Sequence, residues 1–257
     1  MPTLAPQTIL ITGASGGIGG ALALEYAQVG TMLILHGRNE ARLRELREQC
    51  QGKGAVVEIA YFDARDHVAL RRWLVGKSDA HPLDLVFANA GLNVNMGTSN
   101  EGEDWESVEA LLDVNVRAAM ATLHAVLPAM RARRSGQIAM ISSLAAWRGL
   151  PETPSYSASK AAVKAYAEAM RDAVAADGVK INVVMPGYVH SQMAYDMPGP
   201  KPFMWTAEKA AKVIKRGLAQ NRARISFPFP LNLGCWILAG IHPAVSGWIL
   251  KRLNYGH

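Results

Sequence analysis

Few residues of this sequence are of the kinds that mark export, metal binding or disulfide formation. Only two of its 257 residues are cysteine, and Cys50 and Cys235 share no CxxC or cysteine–histidine spacing typical of a metal site. We therefore expect two reduced thiols in a cytoplasmic protein without a metal. The amino-terminal apolar run is short and leads directly into glycines, which favours a strand over a signal peptide.

Charged residues are also sparse. They make up 19% of the chain and leave a net charge of +6, and the basic residues are spread along helical segments rather than gathered in one long tract. The lack of such a tract argues against a nucleic-acid partner. The positive balance fits an anionic ligand, an acidic membrane surface or an ordinary solvated face. Half of the residues are hydrophobic, so the chain can build a sizeable core.

Apolar runs alternate with helical patterns along most of the chain. The first strand, at 8–12, ends in a glycine-rich turn that leads into a helix. Several strands are apolar throughout, as expected where both faces of a parallel sheet are covered. Further strands are predicted near 31–36, 55–60, 84–88, 137–142 and 179–185, and further helices near 39–51, 65–76, 104–132 and 155–176.

This alternation predicts an α/β fold. We expect a single domain, 1–257, built on one doubly wound parallel sheet of the Rossmann type with helices on both faces. Its core is expected to span residues 7–191. An irregular tail should follow after about residue 190, with a substrate lid at about 192–205 and apolar helices at about 225–257.

The turn after the first strand reads Thr12-Gly13-x-x-x-Gly17-x-Gly19. Such a turn directs backbone N–H groups and the positive end of the helix dipole to a point where a pyrophosphate can bind. Glycines also permit tight packing of a helix on a sheet, and this is the alternative interpretation. The setting between a strand and a helix favours nucleotide binding.

The second predicted strand ends at His36-Gly37-Arg38-Asn39, where dinucleotide-binding folds recognise the adenosine ribose. An acidic residue there would accept from the 2′-hydroxyl of NAD and repel a 2′-phosphate. The chain instead has Gly37 followed by Arg38, which favours NADP(H). The alternative is that Arg38 is a solvated arginine at the start of a helix.

Tyr156 and Lys160 lie four residues apart in a predicted helix, so their polar ends can reach a common point. This spacing is common on solvated faces, and the surrounding motifs decide its meaning. With these motifs the sequence resembles the short-chain dehydrogenase/reductase family over residues 7 to 191. The motifs, in chain order, are TGASGGIG at 12–19, Asp63, Asn89-Ala90-Gly91, Asn115, Ile141-Ser142-Ser143, Tyr156-Ser157-Ala158-Ser159-Lys160 and Pro186-Gly187.

The resemblance implies an NADP(H)-dependent oxidoreductase that interconverts a carbonyl and an alcohol by hydride transfer. Tyr156 would donate the proton, and the Lys160 ammonium would lower the pKa of the Tyr156 phenol, which is about 10 in water. Ser143 would hold the substrate oxygen, and Asn115 would anchor a water that relays protons to the lysine. Ser142 is expected to be a strand-end hydroxyl bonded to the backbone.

The same resemblance implies a cofactor site made of residues that follow successive strands. Asp63 would contact the adenine. Ser191 stands where the family often has threonine, and either hydroxyl can bond a carboxamide. The expected cofactor-binding residues are Gly13, Ser15, Gly17, Ile18, Gly19, Arg38, Asn39, Asp63, Ala64, Asn89, Ala90, Gly91, Tyr156, Lys160, Pro186, Gly187, Val189 and Ser191.

Two segments beyond the core concern the substrate. Methionines, aromatics and prolines are concentrated between Met193 and Trp205, which predicts a mobile lid over an apolar substrate or, equally, a segment packed on the core. No Asp, Glu, Lys or Arg occurs between Arg224 and Lys251, yet the apolar stretch at 233–241 is too short to span a membrane. Short apolar helices are predicted instead, either at a membrane interface or against another subunit.

These segments favour a lipophilic substrate of the 3-oxoacyl, long-chain or steroid-like kind. Peripheral contact with the inner face of a membrane is one of the two alternatives for the tail. The family resemblance adds a homo-oligomer, either a dimer or a tetramer. Two other functions stay open on this scaffold: a sugar-nucleotide epimerase or dehydratase, which usually has a differently spaced glycine turn, and a non-catalytic NADP-binding sensor, which would usually lack part of the Tyr–Lys–Ser set.

Overall fold

The computed structural model describes residues 7–97, 101–197 and 199–253. Seven strands of these ranges form one parallel sheet in the order β3-β2-β1-β4-β5-β6-β7. The order reverses between β1 and β4, which opens a crevice at the carboxyl ends of these strands. The predicted doubly wound sheet is confirmed. The strands are β1 Thr8–Thr12, β2 Met32–Gly37, β3 Val56–Tyr61, β4 Leu85–Ala88, β5 Gly136–Ile141, β6 Val179–Pro186 and β7 Arg224–Phe227.

Helices cover both faces of the sheet and follow the strands in alternation up to β7. The helices are α1 Gly17–Tyr26, α2 Glu40–Gly52, α3 His67–Ala80, α4 Trp105–Leu112, α5 Ala119–Ala132, α6 Pro154–Ala173, α7 Gln192–Asp196, α8 Ala207–Ala219, α9 Leu231–Gly240 and α10 Pro243–Arg252.

Two hydrophobic cores result, because consecutive residues of a strand point to opposite faces of the sheet. Ile9 and Ile11 lie in one core, together with the buried faces of α1, α2 and α8. Leu10 lies in the other core, with α3, α5 and α6. Strand β1 is therefore apolar and buried throughout its middle, as a strand covered on both faces must be.

The predicted helix at 104–132 contains a local irregularity. Helix α4 passes through a π-helical turn, Asp113–Ala118, into α5. Within the described residues, the combined helix Trp105–Ala132 is the one long and apolar enough to cross a membrane by length and composition. More than half of its apolar window is buried, and α5 packs against α3 while the π-helical turn packs against α6. It is a core helix of the domain.

The expectation of an irregular tail after residue 190 is wrong. Helix α8 packs against α1 and leads into β7, which adds a seventh strand beside β6. The sequence carried a signal for α8: the Thr206 hydroxyl caps it at the Lys209 N–H, and buried residues such as Ile214 and Leu218 lie on one face. Strand β7 has only four residues, and its pairing with β6 is what defines it.

Candidate active site

A cavity of about 580 Å³ lies at the carboxyl edge of the sheet. Its nucleotide end lies at the carboxyl ends of β1, β2 and β4, and it is lined by Gly13, Ser15, Gly16, Gly17, Ile18, Gly19, His36, Gly37, Arg38, Asn39, Arg42, Asn89, Ala90, Gly91 and Leu92. The first turns of α6 lie between this end and the opposite one. A cavity at this position is typical of ligand sites in open α/β sheets. The opposite end, here called the apolar end, is lined by Leu150, Met193, Met197, Leu231, Leu238 and Leu250.

The structure brings nearly all predicted site residues to this one cavity. Asp63 and Asn115 are the two that do not line it. Their roles, and those of the lining residues, stay predictions. The predicted residues that line the cavity are Gly13, Ser15, Gly17, Ile18, Gly19, Arg38, Asn39, Ala64, Asn89, Ala90, Gly91, Ser143, Tyr156, Lys160, Pro186, Gly187, Val189 and Ser191.

The glycine turn is held by close contacts within the protein. Gly13 has a φ of +70°, a conformation that residues with a side chain rarely adopt. A Cβ on Gly19 would lie 2.4 Å from the Gly13 carbonyl oxygen, and one on Gly17 would lie 2.9 Å from Ser191 Cβ. Close packing, the alternative interpretation, is therefore part of what these glycines do.

The same turn leaves the amino terminus of α1 available to a ligand. The residue before the helix is Gly16, and no side chain caps the first N–H groups of α1. By contrast, α2 is capped by the Asn39 side chain and α3 by the Asp66 side chain. The uncapped N–H groups at a cavity wall fit a pyrophosphate, because they offer unsatisfied donors and the positive end of the helix dipole.

Asn89 joins the turn after β4 to the glycine turn. Its side-chain amide donates to the carbonyl oxygens of Thr12 at 3.0 Å and Gly13 at 3.1 Å, and its backbone N–H donates to the Thr12 hydroxyl at 3.0 Å. Thr12 in turn donates to the Phe87 carbonyl. The two turns that form the nucleotide end therefore act as one rigid unit.

Arginines supply the charge of the nucleotide end. Arg38 and Arg42 both line it, with Asn39 between them, and Asn39 accepts from the Arg42 N–H at 3.0 Å. Arg42 was not among the predicted residues, although its place in the first turn of the helix that follows Arg38 could have revealed it. A Cβ at Gly37 would lie 2.5 Å from Ser15 Oγ, so an acidic side chain could not replace this glycine without a shift of the turn.

Asp63 is paired with Arg65. Its carboxylate is bonded by Arg65 at 2.9 Å and 2.7 Å, and it also accepts from the Arg65 backbone N–H. The Arg65 guanidinium is the main cause that holds the pKa of Asp63 below its ordinary value. Its neighbour Ala64 lines the cavity, whereas Asp63 itself does not. Contact of Asp63 with the adenine stays a prediction.

Ser143, Tyr156 and Lys160 meet between the two ends of the cavity. The Ser143 hydroxyl lies near the Tyr156 phenol and donates to the Pro186 carbonyl at 3.4 Å. Lys160 Nζ lies 5.7 Å from the centre of the Tyr156 ring and donates to the Ile141 carbonyl at 3.0 Å. Ser142 donates to the Lys160 carbonyl at 2.7 Å, which is the backbone bond expected for it. This bond fastens α6 to the end of β5.

Burial governs the protonation of Tyr156 and Lys160. It raises the pKa of the Tyr156 phenol, and the nearby Ser143 hydroxyl offsets only part of that effect. Burial also lowers the pKa of Lys160 to about 8. Lys160, which the resemblance implies would lower the Tyr156 pKa, is not among the causes of this shift, and loss of hydration of the phenolate is the largest one.

Asn115 lies in the π-helical turn behind Lys160 and is almost fully buried. Its side chain accepts from the Leu92 N–H at 2.7 Å and donates to the Leu92 carbonyl at 2.9 Å and to Ser159 Oγ at 3.0 Å. Both amide hydrogens are thus used within the protein. The side chain fastens the turn after β4 to α6, and a water-anchoring role would have to use another atom or the remaining lone pair.

The loop after β6 closes the cavity over α1. The Gly187 N–H donates to the Phe227 carbonyl at 2.7 Å, and the Val189 backbone pairs with Trp205. Ser191 Oγ accepts from the Ala194 N–H and so caps α7. The predicted hydroxyl is therefore in place at the cavity, although α7 already uses one of its lone pairs.

The predicted lid divides into two parts. Met193 and Met197 line the apolar end and pack near Tyr156, whereas the Trp205 ring stacks on Phe227 at 5.2 Å and belongs to the core. The second part thus fits the alternative of packing on the core. Residue 198 of this lid and residues 254–257 of the predicted tail lie outside the described ranges.

Arg148 places a positive charge at the otherwise apolar end. Its Nε donates to Ser246 Oγ at 2.9 Å and its Nη1 donates to the Gly149 carbonyl at 3.0 Å. No carboxylate of a described residue forms an ion pair with it, and none lines the cavity. Sequence patterns did not single out this arginine, which approaches the cavity only through folding.

These features together fit a dinucleotide phosphate. Uncapped N–H groups of α1, the arginines of the nucleotide end and Lys160 all favour negative charge, and no lining carboxylate among the described residues opposes it. Close packing at Gly13 and Gly19 brings the backbone of the turn directly to the cavity wall. The donor set therefore suits the group that the sequence predicted.

Comparisons with known proteins agree with this geometry. The family model described as short chain dehydrogenase matches residues 7–199. An uncharacterized oxidoreductase of Myxococcus xanthus is 37% identical over 233 residues, which cover 90% of this chain and 91% of that protein. The ketoacyl reductase HetN of a Nostoc species is 33% identical over 190 residues, 74% of this chain and 66% of that protein.

A solved structure shows the same fold. The short-chain dehydrogenase from Sphingobium yanoikuyae in complex with NADPH superposes with a TM-score of 0.81 over 95% of both chains, at 23% sequence identity.

Proposed function

The chain belongs to the short-chain dehydrogenase family, and from this premise we propose that it is an NADP(H)-dependent oxidoreductase that interconverts a lipophilic carbonyl compound and its alcohol. One observation carries the proposal. The proton-bearing Tyr156 and its neighbours Ser143 and Lys160 line the same cavity as a phosphate-binding turn, between a cationic end and an apolar end.

The preference for NADP(H) over NAD(H) rests on the nucleotide end. Arg38 and Arg42 offer two guanidinium groups to a 2′-phosphate, and Gly37 leaves no room for a carboxylate that would accept from a 2′-hydroxyl. The glycine turn and the first N–H groups of α1 would hold the pyrophosphate. The residues from Pro186 to Ser191 would hold the nicotinamide end.

The chain's own residues manage the oxygen and the proton of the substrate. A bound reduced nicotinamide supplies the hydride. Ser143 would donate a hydrogen bond to the carbonyl oxygen, and Tyr156 would give that oxygen its proton as negative charge develops on it. Because burial keeps the pKa of Tyr156 above its ordinary value, the phenol holds this proton at neutral pH until the substrate oxygen takes it.

Lys160 would act once Tyr156 has lost its proton. Its ammonium is the cation nearest the Tyr156 ring in α6, so it stabilises the phenolate that forms. A lysine whose pKa is about 8 can also give up a proton near neutral pH. Asn115 positions this lysine indirectly, since it ties the loop at Leu92 to the α6 residue Ser159.

The apolar end supports a lipophilic substrate. Leucines and methionines of the loop after β5, α7, α9 and α10 form its walls, which suits an acyl chain or a ring system. The likeness to a protein named as a ketoacyl reductase supports the 3-oxoacyl class, and Arg148 suits the negative groups that acyl thioester carriers bear.

The described cysteines, Cys50 and Cys235, are both free, which is compatible with a reducing cytoplasmic compartment. A homo-oligomer, dimer or tetramer, is proposed on the family alone. Sedimentation velocity of the purified chain would measure it, and a monomer at micromolar concentration would contradict it.

A substrate panel tests the function. Full-length protein is assayed with ketones, 3-oxoacyl thioesters, steroids and long-chain aldehydes, each with NADPH and with NADH. We expect turnover of a lipophilic class with NADPH, and a loss of at least about a hundredfold in Tyr156→Phe with NADPH binding retained. Tyr166→Phe, on the same helix but outside the cavity lining, is the matched control and should keep its rate. An undiminished rate in Tyr156→Phe contradicts the proposal.

A further inference from the structure

Helix α9 has two apolar faces. One lines the apolar end of the cavity through Leu231, Cys235 and Leu238. The opposite face carries Leu233, Trp236 and Ile237, whose exposed fractions are 45%, 55% and 47%. No residue of α9 is buried, so this single helix separates the cavity from the exterior.

Helix α10 is arranged in the same way. Leu250 lines the cavity, and Ser246 is buried where it accepts from Arg148. Val245 and Trp248 point to the opposite side and are 49% and 59% exposed. We call the exposed sides of the two helices together the outer face, which consists of Leu233, Trp236, Ile237, Val245 and Trp248.

Basic residues border the outer face in the sequence, and the Glu168 carboxylate that approaches its edge is paired with Arg224. The sequence contains no Asp or Glu after Glu208 and no charged residue at all between Arg224 and Lys251. Arg222 precedes this span, and Lys251 and Arg252 follow it, all three exposed. The Arg252 guanidinium lies 5.1 Å from the Trp248 ring centre, so cation and aromatic ring are adjacent at the surface.

We propose that the outer face rests on an anionic membrane surface. Tryptophan combines an apolar ring with a polar N–H and therefore suits the boundary between headgroups and acyl chains, where Trp236 and Trp248 would lie. The leucine, isoleucine and valine of the outer face would enter the same boundary. Lys251 and Arg252 would contact lipid phosphates, and their attraction falls as salt is added.

A second copy of the chain fits the outer face less well. In a two-fold symmetric contact the same surface patch meets itself, so the basic residues that border one copy would approach those of the other. The chain from residue 209 onward contains no carboxylate side chain to compensate them. An anionic lipid surface provides that compensation directly.

This location gives the cavity a route for substrate. The inner faces of α9 and α10 line the apolar end, and their outer faces would touch the lipid, so a lipophilic molecule would pass from the membrane to Tyr156 without crossing water. This consequence rests on the proposed function, whereas attachment to the membrane does not.

Vesicle flotation tests the attachment without any turnover measurement. Full-length protein is mixed with vesicles of phosphatidylcholine, alone or with a third phosphatidylglycerol, and the floating fraction is measured. We expect binding to the anionic vesicles, with weak binding to the neutral ones and in high salt. Trp236→Glu with Trp248→Glu should reduce the anionic binding about tenfold or more, because each change places a carboxylate at the lipid boundary.

The chain offers matched controls for both kinds of contact. Trp105→Glu removes an equally exposed tryptophan of α4, at 66% exposure, and should leave flotation unchanged. Lys251→Glu with Arg252→Glu should lower binding about tenfold, whereas Arg71→Glu with Arg72→Glu, an exposed adjacent pair on α3 with the same change in charge, should matter far less.

Three outcomes would overturn the proposal. The wild-type chain does not float with anionic vesicles, or the control variants lose as much binding as the test variants. In the third outcome, the wild-type chain is a dimer, the double tryptophan variant is a monomer, and vesicles bind neither protein. The last result would assign the outer face to a second copy. Turnover of a short water-soluble substrate by the double tryptophan variant separates this proposal from the function itself. If the double tryptophan variant retains turnover but no longer floats, the result supports both proposals. If the wild-type chain also shows no turnover, the result contradicts only the proposed function.

Discussion

The nucleotide end of the cavity rests on the sheet, whereas the apolar end rests mainly on helices that attach to the sheet by one face. The turns at Gly13, Gly37 and Asn89 directly follow strands, and hydrogen bonds such as those from Asn89 to Thr12 join them to one another. Helices α9 and α10 instead contribute one stripe of side chains to the cavity and leave the other exposed.

This difference separates two tasks. A dinucleotide phosphate has one shape, and a site made of strand ends and close glycine contacts can match it through the backbone. A substrate differs from one enzyme to the next, and helices that lie outside the sheet can change their side chains without disturbing it. Substitutions at the two ends should therefore have different consequences.

The largest effect is expected at the glycine turn. In Gly19→Ala the new Cβ would lie 2.4 Å from the Gly13 carbonyl oxygen and 2.7 Å from Asn89 Nδ2, so the turn must move. We expect NADPH affinity to fall at least about a hundredfold and stability to fall by roughly 2–3 kcal/mol, measured by fluorescence titration and urea unfolding. In Gly20→Ala the nearest atom is 3.4 Å away, and both quantities should stay near wild type. Equal effects of the two variants would show that the turn is not rigid.

Lys160 lies between the two ends and should couple stability to pH. Its folded-state pKa of about 8 lies below the ordinary 10.5, so between these values the unfolded chain binds more protons and folding becomes more favourable as pH rises. The free energy of unfolding of the wild type, relative to Lys160→Met, should therefore rise by up to about 3 kcal/mol from pH 8 to pH 10.5. It should be flat below pH 8. Urea unfolding of both proteins measures this difference in the free energy of unfolding. A difference that does not change with pH would show that burial does not lower the pKa of Lys160.

At the nucleotide end, charge should select the cofactor. Arg38→Ala and Arg42→Ala should each raise the dissociation constant for NADPH about tenfold to a hundredfold, because a charged hydrogen bond of about 1.5–3 kcal/mol is lost, while NADH binding changes little. Arg44→Ala is the control, since Arg44 lies on the same helix, pairs with Glu40 and does not line the cavity. An equal loss for NADH would show that the arginines do not recognise a 2′-phosphate.

The smallest effect is expected at the apolar end. Arg148→Gln should raise KM about tenfold for a substrate with an anionic group and leave KM for a neutral substrate of similar size unchanged. Ser246→Ala keeps the charge but removes the tie from Arg148 to α10. If Arg148 serves only to hold α10, both variants will impair both substrates alike, and its proposed part in recognition is wrong.

Much of the nucleotide end was predictable because it depends on short-range order. A strand, a glycine turn and a helix in succession place Gly13, Gly17 and Gly19 at the cavity whatever the rest of the chain does. Tyr156 and Lys160 share a helix, and their spacing of four residues places them on one face. Arg42 was overlooked although it lies in the first turn of the helix that follows Arg38, so its absence from the prediction reflects an unused signal rather than a missing one.

Other features depend on contacts between distant segments. Strand β7 forms because its four residues pair with the otherwise free edge of β6. Arg148 reaches the apolar end only because α10 returns to it through Ser246, a partner 98 residues later in the chain.

By itself, the sequence determined the α/β alternation, the glycine turn, the Tyr156–Lys160 pair and an uncharged tail bordered by arginine and lysine, because each follows from residue type and local spacing. The tertiary structure decided the protonation of the pair, because burial of the phenol and the ammonium arises only when α6 packs against the sheet. It also decided which side of α9 and α10 faces the cavity and which side is exposed, because both sides of these helices carry apolar residues in the sequence.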